Sequence, residues 1–277
     1  CMGKNSSGEE YDKNVFGDKL YILQDTNKML TGRFGYLYKY LDYYFNTLLN
    51  KNKIVKNNYL IESKTGYFMK FGSKQDEYPF LNAIAYCLDI PYEDIKNKII
   101  KAINDDKIWT FANSGDLKTQ FETKEKFIET LNTNIELDHY FTDDIISVPG
   151  AIINEGINTY IFEKKTKNDK VDFVLLCKNI ENILYYNDPL RKNIILIKED
   201  LNYYPIMFIH KTSQDKNINV VAYYDYDNEI IKHISKYVKL SCKSISFNNF
   251  KIDIAKNIYY ILFANDKDEY IPTKQFI

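Results

Sequence analysis

Three groups of residues in this 277-residue chain have types and spacings that chemistry can use. Glu163-Lys164-Lys165 has the form of the Glu-x-Lys half of a nuclease metal site. Such a site needs an Asp on a neighbouring strand to complete a Mg²⁺ shell, and Asp172 on the next apolar run is the candidate. The simpler reading places Glu163 to Lys170 in a polar hairpin. Lys232, Lys236, Lys239 and Lys243 recur at helical spacing and could neutralise DNA phosphates, or could line a solvated helix face. Their segment, 232–256, holds six Lys against one acidic residue, Asp253, and reads as the basic concentration of a chain whose net charge is −1. Arg33 stands between Gly32 and Gly35, in a loop that could approach a phosphate backbone or simply turn into a helix.

Other residue types lack the spacing that chemistry needs. His139, His210 and His233 share no ligand pattern, so no metal is expected, and His139 with Asp138, Asp143 and Asp144 reads as a surface cluster on a helix. Cys1, Cys87, Cys177 and Cys242 are far apart, with no CxxC pair. Cys87 and Cys177 lie in apolar runs and read as reduced, buried thiols of an intracellular protein. Cys1 before Met2 suggests an expression remnant or an excised segment, so the chain reads as a fragment of something longer. No signal peptide, membrane span or cofactor motif is expected. The near-neutral charge argues against a generic polyanion binder while leaving a local basic patch open. The 25 Tyr, with abundant Asn, Lys and Ile, read as the bias of an AT-rich genome; most of these rings are expected to pack with a hydrogen-bonded tip.

The elements that must position these residues follow from periodicity. Asp76 to Leu88 sets Pro79 at a first helical position, ahead of a run apolar on nearly every side, so it predicts a helix buried at the centre of the domain. Helices are also predicted for Tyr38 to Leu49, Tyr92 to Ile103, Lys124 to Leu131 and Asp138 to Ile146, with turns over 105–118. Tyr67 to Phe71 is strand-like. From Gly156 the pattern becomes extended, with strands predicted at Asn158–Glu163, Val171–Cys177, Asn193–Lys198, Pro205–Ile209 and Ile218–Tyr224. After a helix face at Ile231, Ile234 and Val238, one more strand is read at Ile258–Phe263. Helices followed by strands predict an α+β fold with a central mixed β-sheet packed by helices. The expected division is a helical N-terminal extension over 1–58, an α+β domain over 59–225 and a small basic C-terminal region over 226–277.

Two resemblances add to this. Asp76-Glu77-Tyr78-Pro79-Phe80-Leu81-Asn82-Ala83-Ile84-Ala85 resembles the Asp-Gly-Asn-Cys-Leu-Phe-Arg-Ala-Ile-Ala segment of OTU-type cysteine proteases. In that family the Cys opens a buried helix whose dipole lowers the thiol pKa. Position by position, that Cys falls on Pro79. Ile194 to Ile206 looks like the family's last core strands, and Tyr203-Tyr204 stands where a His-Tyr pair would supply the base. The resemblance implies an OTU-like, papain-like scaffold without its nucleophile or base. Cys87, two turns inside the helix, is not placed to substitute. The second resemblance rests on Gly32-Arg33-Phe34-Gly35-Tyr36-Leu37, Phe80-Leu81, Asp144-Ile145-Ile146-Ser147-Val148-Pro149-Gly150, Gly156-Ile157-Asn158 and Tyr203-Tyr204-Pro205-Ile206, in that order. It is similar to a segment of the large subunit of the early transcription factor of poxviruses and related nucleocytoplasmic large DNA viruses. It implies a role in viral transcription initiation beside an RNA polymerase and a partner ATPase subunit.

The expectation is therefore a non-enzymatic interaction module of a viral transcription-initiation factor, with no catalytic residues, cofactor or metal. Its partners would be the viral RNA polymerase or another transcription-factor subunit, with DNA as a further partner and no membrane. Contacts would fall on Arg33, Lys232, Lys236, Lys239 and Lys243. The setting implied is the viral factory in the host cytoplasm, or the virion. Two alternatives stay open: an active hydrolase, whether deubiquitinase or metal-dependent nuclease, and a virion structural protein.

Overall fold

A computed structural model describes residues 22–49, 63–133, 137–167, 170–177, 190–211, 219–235, 258–264 and 270–273. The architecture is α+β: a mixed open sheet with packed apolar layers on both faces. Its strands are β1 (Phe34–Gly35), β2 (Ser63–Phe71), β3 (Ile157–Lys167), β4 (Lys170–Cys177), β5 (Lys192–Glu199), β6 (Asn202–Lys211), β7 (Asn219–Val221), β8 (Ile258–Ala264) and β9 (Tyr270–Thr273). They lie in the order β1-β2-β6-β5-β3-β4-β8-β9, with β7 paired to β6 off this path. Only β3 and β5 run parallel among the pairings described.

The pleat of β5 explains the two layers. Ile194 and Leu196 pack into one core and Ile195 and Ile197 into the other. Such a strand has no solvent face, which is why its sequence reads as a continuous apolar run. On one face lies α2 (Pro79–Leu88), with Phe80, Leu81, Ala83 and Ile84 fully buried. Pro79 occupies its first turn, and Asp89, in the left-handed region, ends it before Ile90-Pro91. Around α2 pack α3 (Tyr92–Ala102), α4 (Asp106–Phe111), α5 (Asp116–Phe121), α6 (Lys124–Asn132) and α7 (Asp143–Ser147). On the other face sit α1 (Lys39–Asp42), its π-helical continuation Tyr43–Leu49, and a helical turn over 229–235.

Three local expectations are corrected. The region 105–118 is largely helical: α4 and α5 flank a 3₁₀ turn, Ala112–Gly115. Asp105 caps α4 by accepting the Lys107 N–H at 2.8 Å. The single helix expected over Asp138–Ile146 is two pieces, a 3₁₀ turn at His139–Phe141 followed by α7. The helix expected over Tyr38–Leu49 changes to π-helical spacing after Asp42. The segments expected as extension, domain and C-terminal region share one sheet, since β1 pairs β2 and β8 pairs β4.

Candidate functional site at the start of the central helix

The end of β2 and the start of β6 set the geometry. Past Phe71, the chain continues as a loop whose side chains take over from backbone pairing. The Gln75 carboxamide accepts the Tyr203 N–H at 2.9 Å and donates to the Tyr203 carbonyl at 3.0 Å. Ser73 Oγ donates to the same carbonyl at 2.7 Å. These bonds satisfy backbone groups that would otherwise be left buried without partners. They fix the Tyr203 backbone, and its ring then meets Phe80 edge-on, with centroids 5.3 Å apart. Tyr203 thus touches Phe80, which follows Pro79 at the helix start.

The Tyr203 hydroxyl donates to Asp138 Oδ1 at 2.8 Å and lies 2.8 Å from His139 Nδ1. The His139 backbone N–H donates to the same hydroxyl at 3.3 Å. His139 Nδ1 also contacts Asp138 Oδ1 directly, and its ring lies 5.9 Å from that of Phe80. Lys198 on β5 donates to Asp138 Oδ2 at 2.6 Å and reaches Glu163 Oε1 at 3.5 Å. Lys165 approaches Glu163 Oε2 at 2.5 Å. From below, the Tyr78 hydroxyl donates to the Asp138 carbonyl at 2.6 Å and lies 2.9 Å from Thr142 Oγ1. Burial opposes ionisation of Asp138, but hydrogen bonds and charge from His139 and Lys198 outweigh it and hold the carboxyl well below its ordinary range. Burial, reinforced by Asp138, pushes the Tyr203 hydroxyl well above its ordinary pKa.

His139 is therefore no surface residue: it is 6% exposed, at the centre of this cluster. Asp143 is likewise buried and accepts a hydrogen bond from Thr159 Oγ1 at 2.5 Å, while Asp144 accepts the Asn113 N–H at 2.9 Å. Sequence reasoning missed the His139–Tyr203 pairing because 64 residues separate the two. A histidine oriented by a carboxylate is the base half of many nucleophilic sites. The helix start beside it supplies Tyr78, Pro79 and Phe80, and the hydroxyls of Tyr78 and Tyr203 are both engaged and raised in pKa by burial. Cys87 lies at the far end of α2, 3% exposed, and burial pushes its thiol up.

Glu163 faces two ammonium groups, and that local field opposes a bound cation. Among the described residues no group of three His, Cys, Asp or Glu could hold a metal ion. Arg33 is exposed in the turn before β1; its carbonyl accepts the Gly72 N–H at 2.9 Å, while the Gly32 N–H donates to the Gly72 carbonyl at 2.7 Å. Lys232 is exposed on the helical turn over 229–235, whose Ile230, Ile231 and Ile234 enter the core opposite α2. Lys236, Lys239 and Lys243 lie outside the described residues. Arg33 and Lys232 are held by different elements. Among the described residues no helix is long and apolar enough to cross a membrane.

No family model matches the chain, and no solved structure does. The chain is similar to the uncharacterized protein R327 of Acanthamoeba polyphaga mimivirus, a large DNA virus, with 35% identity over 301 aligned positions. That alignment covers 100% of this chain and 19% of the viral protein, so the chain spans about a fifth of its relative's length.

Proposed function

We propose that the chain is a non-enzymatic interaction module of a viral transcription-initiation factor, built on an OTU-like scaffold that has no nucleophile. The observation that carries this reading is the start of α2. Pro79 stands at the first helical position, and the Phe80 ring beside it packs against Tyr203 on β6. A scaffold whose helix start and base position still meet, with Pro79 at one and Tyr203 at the other, has kept its packing and not that chemistry. The similarity to a mimivirus protein supports a large-DNA-virus setting. The transcription role rests on the order of the sequence motifs, and its partners are a viral RNA polymerase or another transcription-factor subunit.

Two measurements test this. Tagged chain recovered from infected cells should bring polymerase subunits with it; recovery with capsid proteins alone would replace this reading by a structural one. Ubiquitin carrying a C-terminal electrophile should leave the purified chain unmodified, because the buried Cys87 cannot present a thiolate. A covalent adduct would overturn the non-enzymatic half of the proposal.

A further inference from the structure

Residues 24–33 form a surface loop whose ends are tied to each other. The Leu23 N–H donates to the Phe34 carbonyl at 2.9 Å, and the Tyr36 N–H donates to the Leu23 carbonyl at 2.9 Å. Compact loops with joined ends are packed by their own side chains and often serve function. Within this one, the Asn27 N–H donates to the Gln24 carbonyl and the Arg33 N–H to the Leu30 carbonyl, each at 3.1 Å. The sheet grips it closely. A Cβ on Gly72 would stand 2.0 Å from the Leu30 carbonyl oxygen, and one on Gly35 would stand 2.7 Å from Met29 Sδ. Glycine at those two places lets the loop backbone lie this near β1 and the end of β2. Beneath it, the fully buried Lys70 gives its Nζ to the Asp25 carbonyl at 3.0 Å. Taking an ammonium wholly out of water is costly, and what it holds here is the loop.

This grip turns two adjacent apolar side chains in opposite directions: Met29 is 7% exposed and Leu30 is 55% exposed. A lone exposed apolar residue needs no explanation. One presented by a clamped backbone differs, because a partner that covers it does not have to order the loop, and that ordering is a main cost of association. Lys28 and Arg33, one on each side of Leu30 in the chain, are exposed. Among the described residues neither is tied to a carboxylate, and the acids that follow Gly72, Asp76 and Glu77, lie 3.0 and 3.7 Å from Lys74. The loop's one carboxylate, Asp25, acts on Lys70 and Tyr38.

We infer that the loop 24–33 docks on another protein, with Leu30 entering an apolar pocket and Lys28 and Arg33 meeting carboxylates at its rim. An apolar anchor within a polar rim is the layout of protein interfaces. Phosphates of a duplex would engage the two cations and leave Leu30 without a role. The partner's being a polymerase or transcription-factor subunit rests on the function proposed above; the docking itself rests on the loop.

The test puts the photo-crosslinker p-benzoylphenylalanine in place of Leu30 in the tagged full chain in infected cells. The same group in place of Tyr223, which is 43% exposed, serves as comparison. Irradiation should join position 30 to a viral protein that mass spectrometry identifies, at a peptide combining apolar residues with Asp or Glu. That peptide, synthesised and fluorescently labelled, should bind the purified chain in anisotropy. Leu30→Asp should weaken the binding by about tenfold or more while melting like the parent, as its exposure allows. Lys28→Glu/Arg33→Glu should weaken it too, and flatten its salt dependence. No adduct at position 30, the same adducts at both positions, or a peptide that the variants bind as the parent does would each overturn the inference. So would duplex DNA or phosphatidylserine vesicles that bind the parent and are released by these substitutions, since the loop would then read phosphate. An adduct on a capsid protein keeps the loop and sinks the transcription reading. Polymerase recovered equally with parent and Leu30→Asp sinks the loop and keeps that reading.

Discussion

At the scale of single residues, Asp138 holds the site together through charge. Its two carboxylate oxygens are divided between His139 with Tyr203 on one side and Lys198 on the other. Because the folded-state pKa is depressed, the stability Asp138 contributes is fully present above its unfolded value of 3.8 and is lost as pH falls through the folded value. Asp138→Asn should therefore cost about 1–3 kcal/mol at neutral pH, a range kept modest because the carboxyl is 34% exposed and partly screened. The gap to the parent should narrow below pH 3.8. Urea unfolding of both proteins at pH 7 and near pH 3 measures it, and a gap that stays constant would mean that the contact is not ionic.

At the scale of elements, the segment that leads into β1 is tied to β2 by Lys70. This lysine is fully buried; Nζ donates to the Asp25 carbonyl at 3.0 Å and lies 3.9 Å from the centre of the Tyr38 ring. Burial, aided by Lys164, lowers its pKa to about 8 against the pull of Glu199 and Asp25. Between pH 8 and 10.5 the unfolded chain holds a proton that the folded chain has released, so this residue makes stability rise with pH across that window. The full effect is about 3 kcal/mol at most. Lys70→Met should flatten the rise, as urea midpoints at pH 7.5 and 9.5 would show; an equal rise in the variant would remove Lys70 as its source. The long elements were legible from the sequence because their signals are local: the apolar run of β5 and the all-round apolar α2 each state their own burial. The short ones were not. Helices α4 and α5 have six residues each, less than two turns, too few for a period to show. Nor could the cluster be read, since it joins Asp138 and His139 to Glu163, Lys198 and Tyr203 through contacts distant in sequence. The hairpin Glu163–Lys170 is legible as a polar stretch between two apolar runs, but where β5 and β8 stop pairing with its strands is recorded by no local pattern.

At the scale of the whole molecule, the question is whether two cores on opposite faces of one sheet make one cooperative unit. They share β5, whose alternate residues enter each core, and side chains lock the outer layers to the sheet. Asn46 of the π-helical turn donates to the Phe68 carbonyl at 2.8 Å and accepts the Phe68 N–H at 2.7 Å, fastening that layer to β2. On the other face, the cluster around Asp138 joins the loop before α7 to β3, β5 and β6. With both layers tied to the same strands, loss of either core should expose the other. The chain's single tryptophan makes this measurable, because Trp109 is buried in the helical layer on the α2 face. Ile195 is fully buried in the opposite core. Ile195→Ala should cost about 2–5 kcal/mol through lost burial and the cavity left behind. If the molecule unfolds as one, the Trp109 fluorescence transition should shift by the same amount as the far-ultraviolet circular dichroism transition, although Ile195 packs in the core on the other side of the sheet. A Trp109 midpoint that stays in place while the dichroism midpoint moves would show instead that the two faces open separately, with the α2 layer and its Asp138 cluster persisting on a partly unfolded sheet.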